Sequence, residues 1–97
     1  MPAMADLTLN DRVAVPEAVI SRELDGETVV LNLETGVYFG LDGVGTDIWN
    51  ALQKGGRIED TFNALLQQYD VQAAALKDDL LRFVNQLASK GLLQAGA

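Results

Sequence analysis

Between Val19 and Leu41 the apolar residues come in short runs, many of them β-branched or aromatic, broken by turn residues; beyond Asp42 they recur at helical spacing. Val19–Leu24 and Glu27–Leu33 flank Asp25-Gly26, a favoured two-residue hairpin turn. Glu34-Thr35-Gly36 then connects to Val37-Tyr38-Phe39-Gly40-Leu41, with glycine where a positive φ is wanted. The pattern predicts a three-stranded antiparallel meander. Ahead of it, Val13-Ala14-Val15-Pro16 reads as a short extended piece, because the residue before proline is pushed out of the helical region.

Three helical stripes follow. Val44, Ile48, Trp49 and Leu52 predict a short helix stopped by Gly55-Gly56. Ile58, Phe62, Leu65, Leu66 and Tyr69 predict a second, with Glu59 and Asp60 at its positive end. Leu76, Leu80, Phe83, Val84 and Leu87 predict the longest, with Gly91 placed as a left-handed C′ residue that lets Leu92 fold back. The order is βββααα, an α+β class with helices covering one sheet face. Residues 1–12 show no periodicity and are expected to form a flexible arm, 13–93 the domain and 94–97 a tail.

A meander leaves two edge strands, Val19–Leu24 and Val37–Leu41. The second is apolar on both faces, Val37, Phe39 and Leu41 on one and Tyr38 on the other, with no charge to discourage a guest strand.

Composition narrows the chemistry. The 97 residues include no Cys and no His, which excludes a thiolate nucleophile, a Ser-His-Asp triad and a zinc site of the usual kind. Seven basic against fourteen acidic residues give a net charge of −7, and the basic ones are scattered, which disfavours nucleic acid. No apolar run reaches the length of a membrane span, and the start lacks the basic and apolar segments of a secretory signal, so a cytoplasmic protein is expected.

Local motifs add little. Gly43-Val44-Gly45 has Ile48 where a third phosphate-loop glycine belongs, and reads better as a helix start capped by Asp42 or Thr46. Glu59-Asp60 and Asp78-Asp79 are adjacent on helices and point about 100° apart, so neither pair can share a reacting atom. A winged helix-turn-helix would offer Asn63, Gln67 and Gln68 as base readers, but Glu59 and Asp60 stand at the end that would meet DNA.

Thr35-Gly36-Val37-Tyr38-Phe39-Gly40-Leu41-Asp42, Gly45-Thr46-Asp47-Ile48-Trp49, Tyr69-Asp70-Val71, Asp79-Leu80-x-x-Phe83-Val84-x-x-Leu87 and Gly91-Leu92-Leu93, in that order, resemble the PqqD family over about Ile20 to Leu93. That family comprises pyrroloquinoline quinone synthesis protein D and the related recognition elements of ribosomally made, modified peptides, including stand-alone lasso-peptide members. The resemblance implies a winged-helix-like, non-catalytic domain without cofactor or metal. It would bind the leader of a precursor peptide as an added strand and deliver the peptide to a modifying enzyme, whether protease, cyclase or radical enzyme. Carried over, it selects Val37, Tyr38, Phe39 and Gly40 for backbone pairing and pockets, and Leu76, Asp79, Leu80 and Phe83 for a helix wall. The Tyr-Phe-Gly-Leu-Asp run is closer to the lasso and general peptide-modification members than to the quinone-pathway ones, which points to a protease or cyclase. The net charge suggests a leader with basic residues. The alternative is a self-associating module, a homodimer through the same open edge.

Overall fold

Asp25 and Gly26 take φ values of 56° and 82°, the paired positive values of a type I′ turn, and they close the hairpin expected at that place. The structure, a computed structural model, describes residues 7–96. Its strands are β1 (Val13–Ala14), β2 (Val19–Leu24), β3 (Glu27–Asn32), β4 (Tyr38–Leu41) and β5 (Gln94–Ala95). Its helices are α1 (Gly43–Leu52), α2 (Ile58–Gln68) and α3 (Ala73–Ser89). The main sheet has the order β2-β3-β4, antiparallel throughout, and is followed by the three helices, the α+β arrangement that the pattern predicts.

The turn into β4 is built by Asn32, whose side-chain oxygen accepts from the N–H groups of Glu34 and Thr35, while Gly36 takes φ 78°. Asp42 caps α1, its Oδ1 accepting from the Gly45 N–H at 2.8 Å. Thr46 does not cap. It is buried and shares a hydrogen bond with Thr28 of β3, tying α1 to the sheet. α3 ends in the expected glycine C-cap: Gly91 has φ 75°, its N–H reaches Ala88 C=O, and the Leu92 N–H reaches Leu87 C=O.

The register puts Val19, Thr28, Val30, Asn32, Phe39 and Leu41 on the face under the helices. Against it pack Trp49, Ile58, Leu65, Leu80, Val84 and Leu87, all essentially sealed from solvent. Each such side chain contributes about 1.5–3 kcal/mol of transfer free energy, so this interface holds sheet and helices together. The opposite sheet face carries Ile20, Leu24, Val29 and Tyr38, all exposed.

Where they are described, residues 7–12 of the expected arm and 94–96 of the expected tail are held in place. Residues 1–6 of that arm lie outside the described residues. The Leu7 N–H donates to Asn85 Oδ1 at 2.8 Å, and Asn85 Nδ2 donates back to the Leu7 carbonyl. Leu7 and Leu9 pack on the core, Asp11 accepts from the Ile58 N–H, and β1 pairs with β5 as a second, two-stranded sheet. Backbone hydrogen bonds and two leucines hold residues 7–14 and 94–96 down, a pairing between residues some eighty positions apart that no local pattern signals. Among the described residues no helix is long and apolar enough to cross a membrane.

Candidate functional site

β4 is an edge of the main sheet. The Asn32 N–H donates to the Val37 carbonyl at 2.9 Å, so Val37 turns its carbonyl toward β3, while its N–H donates to Thr35 Oγ1 at 3.2 Å. An antiparallel ladder alternates, and the same orientation therefore holds for Phe39 and Leu41. The N–H and C=O groups of Tyr38 and Gly40 point away from the sheet, along the edge. Val37 lies just before the strand rather than within it. A β-carbon at Gly40 would meet nothing within 4 Å, so the outer face of the strand is uncovered there.

Beside this edge runs a groove of about 380 Å³ between β4, the start of α1 and one face of α3. Phe39, Gly40 and Leu41 form one side, Val44 and Ile48 the floor, and Asp79, Phe83 and Gln86 the far wall. Two features bring the walls together. Gly45 lets α1 approach, since a β-carbon there would sit 3.2 Å from Leu41 Cβ and 3.4 Å from the Phe83 ring. Helical spacing then puts Asp79, Phe83 and Gln86 along one stripe of α3, continued by Lys90 at its C-cap, and the Lys90 Nζ lies 5.5 Å from the centre of the Phe39 ring.

Of the residues selected from the sequence, Phe39, Gly40, Asp79 and Phe83 line this groove. Tyr38 is 71% exposed on the other sheet face, and Val37 sits at the approach to β4. Leu80 is 0% exposed and belongs to the core, and Leu76 packs on that core without lining the groove. Val44, Ile48 and Gln86 of the lining were missed, as was Lys90, which reaches over the Phe39 ring beside it. Val44 and Ile48 share the apolar stripe of α1 and read as core. Gln86 and Lys90 continue the Asp79–Phe83 spacing and could have been found from it.

A second cleft, about 490 Å³, lies between α1 and α2 and is lined by Asp47, Lys54, Arg57, Asp60 and Gln68 among others. It offers mixed charge and no strand edge. At its rim the Tyr69 hydroxyl donates to Asp47, which also accepts from Gln68 Nε2 at 3.3 Å, linking the end of α2 to α1. The Asp47 hydrogen bond, followed by lost hydration and the charges of Asp47 and Asp42, raises the Tyr69 pKa above the usual value of about 10. A raised folded-state pKa stabilises below the unfolded value and loses that contribution as pH climbs through the folded one. The stability advantage of the natural chain over Tyr69→Phe is therefore expected to hold steady up to about pH 10 and to vanish above it. Urea midpoints of both proteins across that range check this, and a gap that persists in strong alkali would refute it.

Among the described residues no cluster of three or more Asp, Glu, His or Cys could hold a metal ion. The site thus combines a strand edge, an apolar groove and a few charged side chains, a set suited to holding an extended chain. A family described as coenzyme PQQ synthesis protein D (PqqD) matches residues 27–93, which contain the whole groove. The chain belongs to the PqqD family. Among solved structures it is similar to TbiB1 in complex with the TbiA(beta) leader peptide, at 42% identity and a TM-score of 0.79, over 86% of this chain and 96% of that one. No curated protein matches the chain. The PqqD match ends at Leu93, so β5, which fastens the amino-terminal segment, lies beyond it.

Proposed function

We propose that this PqqD-family protein is a non-catalytic leader-peptide-binding scaffold. It takes the leader of a ribosomally made precursor as a fourth strand on β4 and presents the peptide to a modifying enzyme. The observation that carries the reading is the open Tyr38–Gly40 edge beside an apolar groove, in a chain 42% identical to a protein solved with a leader peptide bound. Strand addition draws affinity from main-chain hydrogen bonds and selectivity from pockets for alternate side chains, and it needs no catalytic group. Phe39, Val44, Ile48 and Phe83 supply the pocket surface, and Tyr38 and Gly40 the main-chain partners. A protease or cyclase is the partner enzyme this reading favours, and the cytoplasm, where precursors are made, is its place of action.

The test is an NMR titration of labelled protein with leader peptides encoded beside its gene. Shifts are expected in the amides of Val37–Leu41 and of α3 from Leu76 through Phe83 to Lys90. Shifts centred on the α1–α2 cleft, or none with any neighbouring peptide, would overturn the assignment. A second copy of the chain competes for the same edge, and a dimer on size exclusion that stays closed to every leader would also sink it.

A further inference from the structure

The groove differs in charge from end to end. α3 runs back along β4, so Asp79 stands near the Leu41 end with Asp42, while Lys90 stands over Phe39 at the other end. Eleven helical positions separate Asp79 from Lys90, about 16 Å of rise. Extended chain covers that distance in about five residues. Between the two ends the surface is mostly apolar, formed by Phe39, Val44, Ile48 and Phe83, with Gln86 as a polar side chain on the α3 side.

Neither charge is firmly committed elsewhere. Asp79 meets Arg82 at 3.7 Å, with both side chains about three-quarters exposed, a pair that contributes little. Arg82 does not line the groove. Among the described residues no carboxylate lies within ion-pair distance of Lys90. Net charge −7 favours basic peptides in general but says nothing about where along the peptide a charge should fall.

We infer that, on the leader-binding reading above, the groove selects the order of charges along its occupant. The bound peptide carries a cationic side chain where it passes Asp42 and Asp79, apolar inward-facing residues over Phe39 and Phe83, and a carboxylate where it reaches Lys90. Inward-facing residues of a strand alternate, which sets the two charges about four to six positions apart. Every strand pair in the main sheet is antiparallel. A guest of the same sense runs from the Asp79 end to the Lys90 end, so its cation precedes its anion.

The probe is the TbiA(beta) leader peptide in two labelled scans, one placing Lys and the other Glu at each position in turn. Anisotropy titrations at low salt compare the natural protein with Asp79→Lys and Lys90→Glu, both checked for folding by circular dichroism. On the natural protein, one position is expected to favour Lys over Glu by about two- to fivefold. A position about four to six residues nearer the carboxyl end is expected to favour Glu. Asp79→Lys reverses the first preference, Lys90→Glu reverses the second, and both shrink at high ionic strength. Binding without either reversal, or with the Glu-preferring position first, overturns the inference and leaves leader binding standing. Failure of the natural protein to bind any scan peptide, and equally any leader encoded beside its own gene, would instead remove the reading on which the inference rests.

Discussion

Gly40→Pro is expected to weaken leader binding about tenfold or more while the domain stays folded. The Gly40 N–H faces the open edge, so proline removes a donor that the β3–β4 ladder does not use. Its ring also occupies space the guest strand needs, and a guest carbonyl left without its partner costs about 1–3 kcal/mol. Phe39 is already extended, as the residue before a proline must be. Gly40→Ala is the control, because its β-carbon meets nothing within 4 Å and the N–H remains. Titration calorimetry with the leader, alongside thermal melts, separates the two substitutions. Natural affinity in a folded Gly40→Pro protein would exclude strand addition at β4.

Leu80→Ala and Phe83→Ala are expected to fail in opposite ways, although the residues are three apart on one helix. Leu80 is fully sealed, so its truncation leaves a cavity and costs about 2–5 kcal/mol, a large part of the roughly 5–15 kcal/mol that holds a domain folded. The leader affinity of the molecules that remain folded should not change. Phe83 is half-buried with one side on the core and the other on the groove, where a peptide would cover it. Its truncation should cost about 2 kcal/mol of binding, roughly thirtyfold in Kd, with a smaller loss of stability. Urea denaturation and anisotropy on the same samples decide the matter. A Phe83→Ala protein with natural affinity, or a folded Leu80→Ala fraction that binds poorly, would mean that the groove is lined by other residues.

That contrast also marks where periodicity stops being informative. Leu76, Leu80, Phe83, Val84 and Leu87 form one apolar stripe, and spacing alone treats its members alike. The rotation of α3 about its axis, fixed by packing against α2 and the shared core, sends Leu80, Val84 and Leu87 inward and leaves Phe83 at the margin. α1 behaves similarly: Val44 and Ile48 belong to its core stripe, yet the opening between α1 and α3 makes both groove surface.

What the sequence by itself determined is what neighbours in the chain decide. Asp25-Gly26 dictates the hairpin, Gly43-Val44-Gly45 the start of α1 with Asp42 or Thr46 as its cap, and Gly91 the end of α3, because these turns and caps depend on φ preferences and on side chains within reach of their own backbone. The uncharged, apolar last strand was equally visible, and with it the place where a guest could pair. Tertiary structure alone decided the rest. Asp79 and Lys90 mark the two ends of a groove only once α3 lies along β4, and β1 is fastened only once β5 meets it. These are contacts between residues far apart in sequence. Which of them form depends on the packing of the whole core, and no local preference encodes it.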